Sequence, residues 1–155
     1  MSFRISGLSA DQFTSLYGLS EQELLARGAR RYTVDKVPGF PDRIELRDLE
    51  VGESALLINY LHQPADTPYR ASHAVFVREG ATAAHCCVDE VPEVLQRRVL
   101  SLRAFDADHM LADAALVEGR AAMNVLTRLL DNPVVAYIHA HFAIPGCFAA
   151  RVDRQ

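Results

Sequence analysis

The amino-acid sequence predicts an α+β domain, with a mostly antiparallel sheet or partial barrel and interspersed helices. Strand-like segments dominate, because most apolar residues alternate with polar ones or stand in short apolar runs. Only the helix predicted before Val134 is long enough to connect two parallel strands, so a doubly wound parallel sheet is not expected. The 155 residues contain no repeat and no low-complexity linker, and we expect a single domain over residues 1–155.

Two short helices are expected near the N-terminus. Ser9 with Gln12, and Ser20 with Glu23, have the spacing of a capping box, in which the serine side chain accepts a hydrogen bond from the amide three residues later. The second helix is expected to end at Gly28, because glycine readily takes the left-handed conformation that follows a helix.

The later elements are predicted from the period of the apolar residues. Residues 43–47 alternate cleanly, as in a strand with one solvent-facing side, and residues 54–62 are apolar on both faces, as in a central strand. A short helix begins at Pro92, and a longer helix over roughly residues 119–131 carries an apolar stripe at helical spacing. The remaining predicted strands cover residues 73–77, 81–88, 99–105, 134–142 and 147–153.

Composition narrows the classes of function. The formal net charge of −4 argues against a nucleic-acid or anionic-membrane partner, which usually requires clustered lysine and arginine. No apolar run approaches the roughly 18–20 residues that span a bilayer, and the first ten residues contain no signal-peptide core. The three cysteines include no CxxC pair, so the usual zinc and redox spacings are absent. We expect a cytoplasmic protein, and its oligomeric state stays open.

The predicted C-terminal hairpin is the most informative segment. Because side chains alternate along a strand, His139 and His141 share one face with Tyr137, and the apolar residues between them take the other face. The apolar face is the expected core, which leaves the two histidines on the wetter side of the sheet.

The following strand shows the same alternation. Pairing Phe142 with Phe148 through a five-residue loop brings both apolar sets to one side of the sheet. This register places His139 opposite Arg151 and the second histidine opposite Ala149. We therefore expect the histidines and the arginine to share a face.

One chemistry for this face is anion binding. His139, His141 and Arg151, joined by Tyr69 and Arg70 from a proline-rich loop, form a candidate ligand-binding pocket, because arginine binds carboxylate or phosphate with two parallel hydrogen bonds. No glycine-rich phosphate loop is present, which disfavours a nucleotide. The structural alternative is that both arginines form ordinary salt bridges.

A second chemistry is metal binding. His139 and His141, two residues apart on a strand, can both reach one divalent transition metal, as in cupin-like sites, if a third ligand comes from elsewhere. His62, His73 or a carboxylate can supply that ligand. The alternative is a pair of partly exposed strand histidines with no metal.

Two further groups carry reactive residue types. Cys147 at the edge of the same face is either a nucleophile activated by a histidine or, as we favour, a small residue at the edge of the core. The turn containing Asp106, Asp108 and His109 has residue types that bind metals, but the rest of a calcium loop is missing. We assign no site to that turn.

Four stretches of the chain carry a family resemblance. They are Pro38-Gly39-Phe40-Pro41 followed by Arg43, His62-Gln63-Pro64 running to Ser72, Ser101 to Asp106, and Ile138-His139-Ala140-His141 running to Arg151. Together they resemble the uncharacterised bacterial family called domain of unknown function 1203. The resemblance runs nearly the whole length of the chain. It implies one full-length domain, and it brings no assigned reaction or ligand.

The chain departs from that family's pattern at three places. Asp42 stands where a cysteine is usual, Phe142 stands where an asparagine is usual, and His73 with Ala74 replaces a glycine-proline pair. Because His73 is peculiar to this chain, the resemblance makes His62 the better third metal ligand.

Three functions therefore remain as hypotheses. The first is a domain that binds a small anionic ligand, without a cofactor, through His139, His141, Arg151, Tyr69 and Arg70. The second is a metal-dependent enzyme in which a divalent transition metal is held by His139, His141 and His62. The third is a protein-partner module without a small ligand, which requires a sizeable exposed apolar patch. The sequence leaves open whether the protein is an enzyme.

Overall fold

A computed structural model describes residues 1–155 and confirms the predicted α+β class. The strands are β1 (Phe3–Ser6), β2 (Arg30–Thr33), β3 (Pro41–Asp42), β4 (Arg47–Asp48), β5 (Ser54–Gln63), β6 (Ala71–Arg78), β7 (Cys86–Val88), β8 (Val99–Phe105), β9 (Leu111–Glu118), β10 (Tyr137–Phe142) and β11 (Phe148–Arg154). The helices are α1 (Glu21–Ala26), α2 (Glu93–Gln96) and α3 (Ala122–Asp131).

The strands form two sheets, both mostly antiparallel as predicted. The six-stranded sheet has the order β7-β1-β11-β10-β8-β9, and every neighbouring pair in it is antiparallel. The five-stranded sheet has the order β2-β5-β6-β3-β4, in which only β3 and β6 are parallel. The position of β5 between β2 and β6 confirms that this segment, apolar on both faces, is a central strand.

The helices agree with their predicted signals except at the first one. The Ser20 hydroxyl accepts a hydrogen bond from the amide of Glu23 at 3.1 Å and caps α1 as expected. The prediction that Ser9 caps a helix is wrong, because its side chain caps nothing and two 3-10 turns follow, at Ala10–Gln12 and Thr14–Leu16. The predicted long helix is present as a 3-10 turn, Gly119–Ala121, continued by α3.

The predicted strand at residues 43–47 is wrong. Residues 43–46 form a tight turn between the two-residue strands β3 and β4. The turn closes because the Asp42 carboxylate accepts hydrogen bonds from the amides of Ile44, at 3.1 Å, and Glu45, at 2.7 Å. As a result Arg43 is buried rather than facing solvent, and Leu46 takes a positive φ of 51°.

Two apolar clusters cover different faces of the sheets. The larger cluster contains 22 residues and packs α3 against one face of the six-stranded sheet. The smaller cluster contains 12 residues and lies on the five-stranded sheet, where it also takes in Phe148 from β11. The second face of β10 lies against the end of β5, and all six residues of β10 are buried. No helix of the protein is long and apolar enough to cross a membrane.

Candidate metal centre

Three buried histidines meet where the two sheets come together. His62 comes from the end of β5, and His139 and His141 come from β10. One ring nitrogen of each lies within 4.8 Å of a ring nitrogen of both others. Their exposed fractions are 8%, 3% and 1%, so the expectation that β10 turns its histidines to a wetter face is wrong. The end of β5 covers that face.

A β-bulge in β11 gives the histidine face its shape. The predicted pairing of His139 with Arg151 is present, and Ala140 pairs with Ala150. The next pair joins His141 to Phe148, so Ala149 is the extra residue and the predicted pairing of His141 with Ala149 is wrong. The bulge turns Phe148 away from the apolar face and places its ring among the histidines.

A second bulge places His62. Tyr60 pairs with His73 and Gln63 pairs with Ala71, so β5 has one more residue than β6 across this interval. Strict alternation is lost there, and the adjacent residues His62 and Gln63 are both buried. Bulges next to sites commonly re-aim a side chain in this way.

The hydrogen bonds leave each ring with an unused buried nitrogen. His141 Nδ1 lies 3.0 Å from the carbonyl oxygen of Gly146, which only accepts, so Nδ1 carries the proton and Nε2 has a free lone pair. That Nε2 has no hydrogen-bond partner, and neither has Nδ1 of His62 or of His139. A second hydrogen bond that fixes the tautomer is typical of metal-binding histidines.

Burial keeps all three imidazoles neutral. It lowers the pKa of His62 to about 4 and the pKa values of His139 and His141 to about 3. The charges of Arg103 and Arg151, on the two strands beside β10, lower the pKa of His139 further. Near neutral pH the rings are therefore in the form that binds a metal.

Aromatic side chains hold the rings in place. The Phe148 ring stacks on His62, with a centroid distance of 5.5 Å and an interplanar angle of 6°. The His139 ring lies nearly perpendicular to the Phe148 ring at a centroid distance of 5.2 Å, and the Phe105 ring lies 5.2 Å from the same histidine. These contacts restrict rotation of the imidazoles and keep water from most of their surface.

A small cavity of about 230 Å³ opens beside the histidines. Its lining residues are His62, Gln63, Pro64, Ala65, His109, Tyr137, His139 and Arg151. The Tyr137 hydroxyl accepts a hydrogen bond from Gln63 Nε2 at 2.9 Å and lies 2.8 Å from Nδ1 of His109. The Arg151 guanidinium carbon lies 4.1 Å from the centre of the Tyr137 ring. Arg151 also forms a salt bridge with Asp153, in which Nη2 lies 2.8 Å from Oδ1.

The structure brings together only some of the residues predicted for ligand binding. His139 and His141 form the histidine cluster together with His62, and Arg151 lines the cavity beside it. Tyr69 and Arg70 do not line the cavity. Tyr69 packs its ring against Phe105 at 6.0 Å, and Arg70 donates a hydrogen bond to the carbonyl of Pro64 within its own loop.

Sequence reasoning missed three polar residues of the cavity. Tyr137 is one of them, although alternation along β10 places it on the same face as the histidines. That alternation is the sequence signal that could have added Tyr137 to the candidate site. His109 belongs to the turn to which no site was assigned, and it reaches the cavity through a positive φ of 64°. Gln63 became visible only with the bulge in β5.

Comparison with known proteins identifies the family. Residues 39–154 match the family described as Protein of unknown function (DUF1203), and this match includes every histidine of the cluster. Comparisons with curated proteins and with solved structures find no match. Because the match covers well over half of the 155 residues, the chain belongs to the DUF1203 family.

Proposed function

We propose that His62, His139 and His141 bind a divalent transition metal, and that the protein is a metal-dependent enzyme acting on a small anionic substrate. The observation that carries this proposal is the meeting of three buried imidazole rings, each of which has a buried nitrogen with no hydrogen-bond partner. Each unsatisfied buried nitrogen costs about 1–3 kcal/mol. A metal ion would relieve that cost at each ring that binds it through the unpartnered nitrogen.

The donor set favours particular metals. Three neutral imidazoles suit zinc, iron, copper or nickel, and three protein ligands with a free fourth position are typical of catalytic zinc sites. Tetrahedral zinc at about 2.0–2.1 Å from each ligand requires nitrogens about 3.3 Å apart. The nitrogens lie within 4.8 Å, so closure by at most about 1.5 Å is needed. A bound metal ion would have to draw the rings together by that distance.

The cavity supplies the other parts of a reaction centre. A bound metal would provide a water molecule of lowered pKa as the nucleophile. Tyr137, hydrogen-bonded to His109, lies two residues from His139 on the same face and is placed to pass a proton between cavity and surface. Arg151 borders the cavity and offers a cation to a carboxylate or phosphate.

The size of the cavity limits the substrate. Its volume of about 230 Å³ lies below the roughly 300–1,000 Å³ of pockets for drug-sized ligands. We therefore infer a substrate of few heavy atoms with one anionic group, and hydrolysis or hydration as the reaction class. The three free cysteines fit a reducing compartment, and we place this activity in the cytoplasm.

Metal-free anion binding is the second candidate. Arg103 and Arg151 flank His139 from both neighbouring strands, so two cations border the cluster. In this alternative the arginines bind the ligand, and the histidines contribute only hydrogen bonds. Arg151→Lys then weakens binding while His141→Ala has a small effect. The metal proposal predicts the reverse for metal binding: His141→Ala abolishes it, and Arg151→Lys has a small effect.

The test is a titration of chelator-treated protein with zinc, iron(II) and nickel salts, followed by calorimetry and thermal melts. We expect one metal per chain and stabilisation of about 2.7 kcal/mol at a metal concentration of 100 times Kd. His141→Ala is expected to lose both effects. The exposed His85 provides the matched control, because His85→Ala should bind as the parent does. Equal binding by the parent and both variants would overturn the proposal.

A further inference from the structure

A second, larger cavity is lined in part by the loop between β10 and β11. Its volume is about 850 Å³, and its walls come from both sheets and from residues 97–99. Arg43 and Cys147 belong to its lining, and none of the three histidines of the metal centre does. This cavity is therefore separate from the proposed metal site.

Arg43 is a buried cation in this wall. It is 2% exposed, and it donates to the carbonyls of Phe148, at 2.8 Å, and Pro41, at 2.7 Å. Its third contact runs from Nη2 to Cys147 Sγ at 2.9 Å. A guanidinium has five N–H groups, so two of those of Arg43 have no hydrogen-bond partner.

The charge of Arg43 has no carboxylate partner. Arg43 takes part in none of the salt bridges of the protein. The neighbouring Asp42 carboxylate is committed to the backbone amides of Ile44, Glu45 and Arg78. A buried cation without a counter-charge is unfavourable, and the only acidic group that touches the guanidinium is the Cys147 thiol.

We propose that Cys147, which accepts a hydrogen bond from Arg43, is a nucleophile in this cavity, and that the cavity takes small electrophiles carrying a carboxylate or similar anionic group. The positive charge of Arg43 lies beside the sulfur and favours an electrophile that carries an anionic group. The cationic lining residues Lys36, Arg97 and Arg98 face a single carboxylate, that of Glu118. Asp48 forms salt bridges with both Arg97 and Arg98, and Glu93 forms a further one with Arg97, whereas Lys36 forms no salt bridge.

The reaction is a nucleophilic substitution in which the thiol proton is lost to solvent. The sulfur electron pair of Cys147 forms a bond to the electrophilic carbon. In a substitution the leaving group departs with its bonding electrons as an anion. Arg43 keeps all its protons, and its positive charge stabilises the anionic group or the leaving group.

Two alkylating reagents that differ in charge test this proposal. Iodoacetate and iodoacetamide both convert a thiolate to a thioether and release iodide, but only iodoacetate is anionic. Labelling rates are measured for each cysteine by peptide mass spectrometry on the folded protein at neutral pH. The exposed Cys86 supplies the reference ratio of the two rates, and Cys147→Ser confirms the peptide assignment.

The expected result is a ratio of iodoacetate to iodoacetamide rates at Cys147 at least tenfold above that at Cys86. Lys36→Ala, which changes only an exposed side chain, should lower that ratio severalfold without changing the melting temperature. Arg43→Lys tests the pairing and is expected to slow labelling by both reagents. Equal ratios at the two cysteines, or a Cys147 that reacts only after denaturation, would overturn the proposal.

Discussion

Replacing His62 by phenylalanine separates stability from metal binding. The ring of His62 stacks on Phe148 at 5.5 Å and is 8% exposed, so a phenylalanine ring can keep the stacking. The change removes a buried Nδ1 that has no hydrogen-bond partner, and such a nitrogen costs about 1–3 kcal/mol. The phenylalanine ring is larger than the imidazole ring, and its extra volume is unfavourable in a packed site. The net gain in stability is therefore smaller than this.

We expect metal-free His62→Phe to be more stable than metal-free wild-type protein by about 1 kcal/mol, or roughly 2–4 °C in Tm. With zinc at 100 times Kd the order reverses, because only the wild-type protein gains about 2.7 kcal/mol. The assay is thermal unfolding with chelator and with zinc, with His85→Ala as control. The reasoning is refuted if the variant is less stable without metal, or if zinc stabilises both proteins equally.

Two further predictions concern the framework around the site. Glu79 accepts hydrogen bonds from Arg31, and these lower the pKa of the Glu79 carboxyl from 4.5 to about 2. The ion pair therefore stabilises the fold fully above pH 4.5, and this stabilisation is lost as the pH falls toward 2. Glu79→Gln should therefore cost about 1–3 kcal/mol at pH 7, with the difference from wild type shrinking in urea titrations at lower pH. Gly119→Ala should cost at least about 2 kcal/mol in the same titrations, because its Cβ would lie 1.9 Å from the Leu95 carbonyl oxygen. Gly18→Ala, which meets open space, should cost only about 1 kcal/mol, and equal losses at the two glycines would contradict the steric explanation.

The fold class was predictable because it depends on periodicity over long segments. The strands β5 and β8 and the helix α3 follow from their apolar patterns with small shifts in their bounds. The strands β1 and β2 were missed because four residues give too short a pattern to distinguish from a loop. The division into two sheets depends on contacts between distant segments, which local periodicity does not contain.

The site was predictable up to the point where alternation fails. The pairing of His139 with Arg151 follows from simple alternation and is observed. Beyond Ala140 the bulge at Ala149 reverses the face of Phe148, and no residue type in the hairpin signals that bulge. The assignment of His62 as the third ligand of the alternative site rested on the family resemblance, since the second bulge gives no sequence signal either.

Arg43 shows the same limit for a charged residue. Clean alternation over residues 43–47 indicates a strand with a solvent-facing arginine, but the Asp42 side chain closes a turn that buries it. Arginine can be buried only where carbonyls and other acceptors meet its fork of N–H groups. Phe148, Pro41 and Cys147 supply them here from positions up to 105 residues away in the chain.

The metal content of protein purified without a histidine tag tests the central claim most directly. Plasma mass spectrometry on the wild-type protein should find close to one equivalent of zinc, iron, copper or nickel per chain. His139→Ala and His141→Ala should each retain less than a tenth of that amount, and His85→Ala should retain all of it. A wild-type protein that carries no more metal than the His139→Ala variant, before and after reconstitution with metal salts, would contradict the assignment of a metal centre to these three histidines.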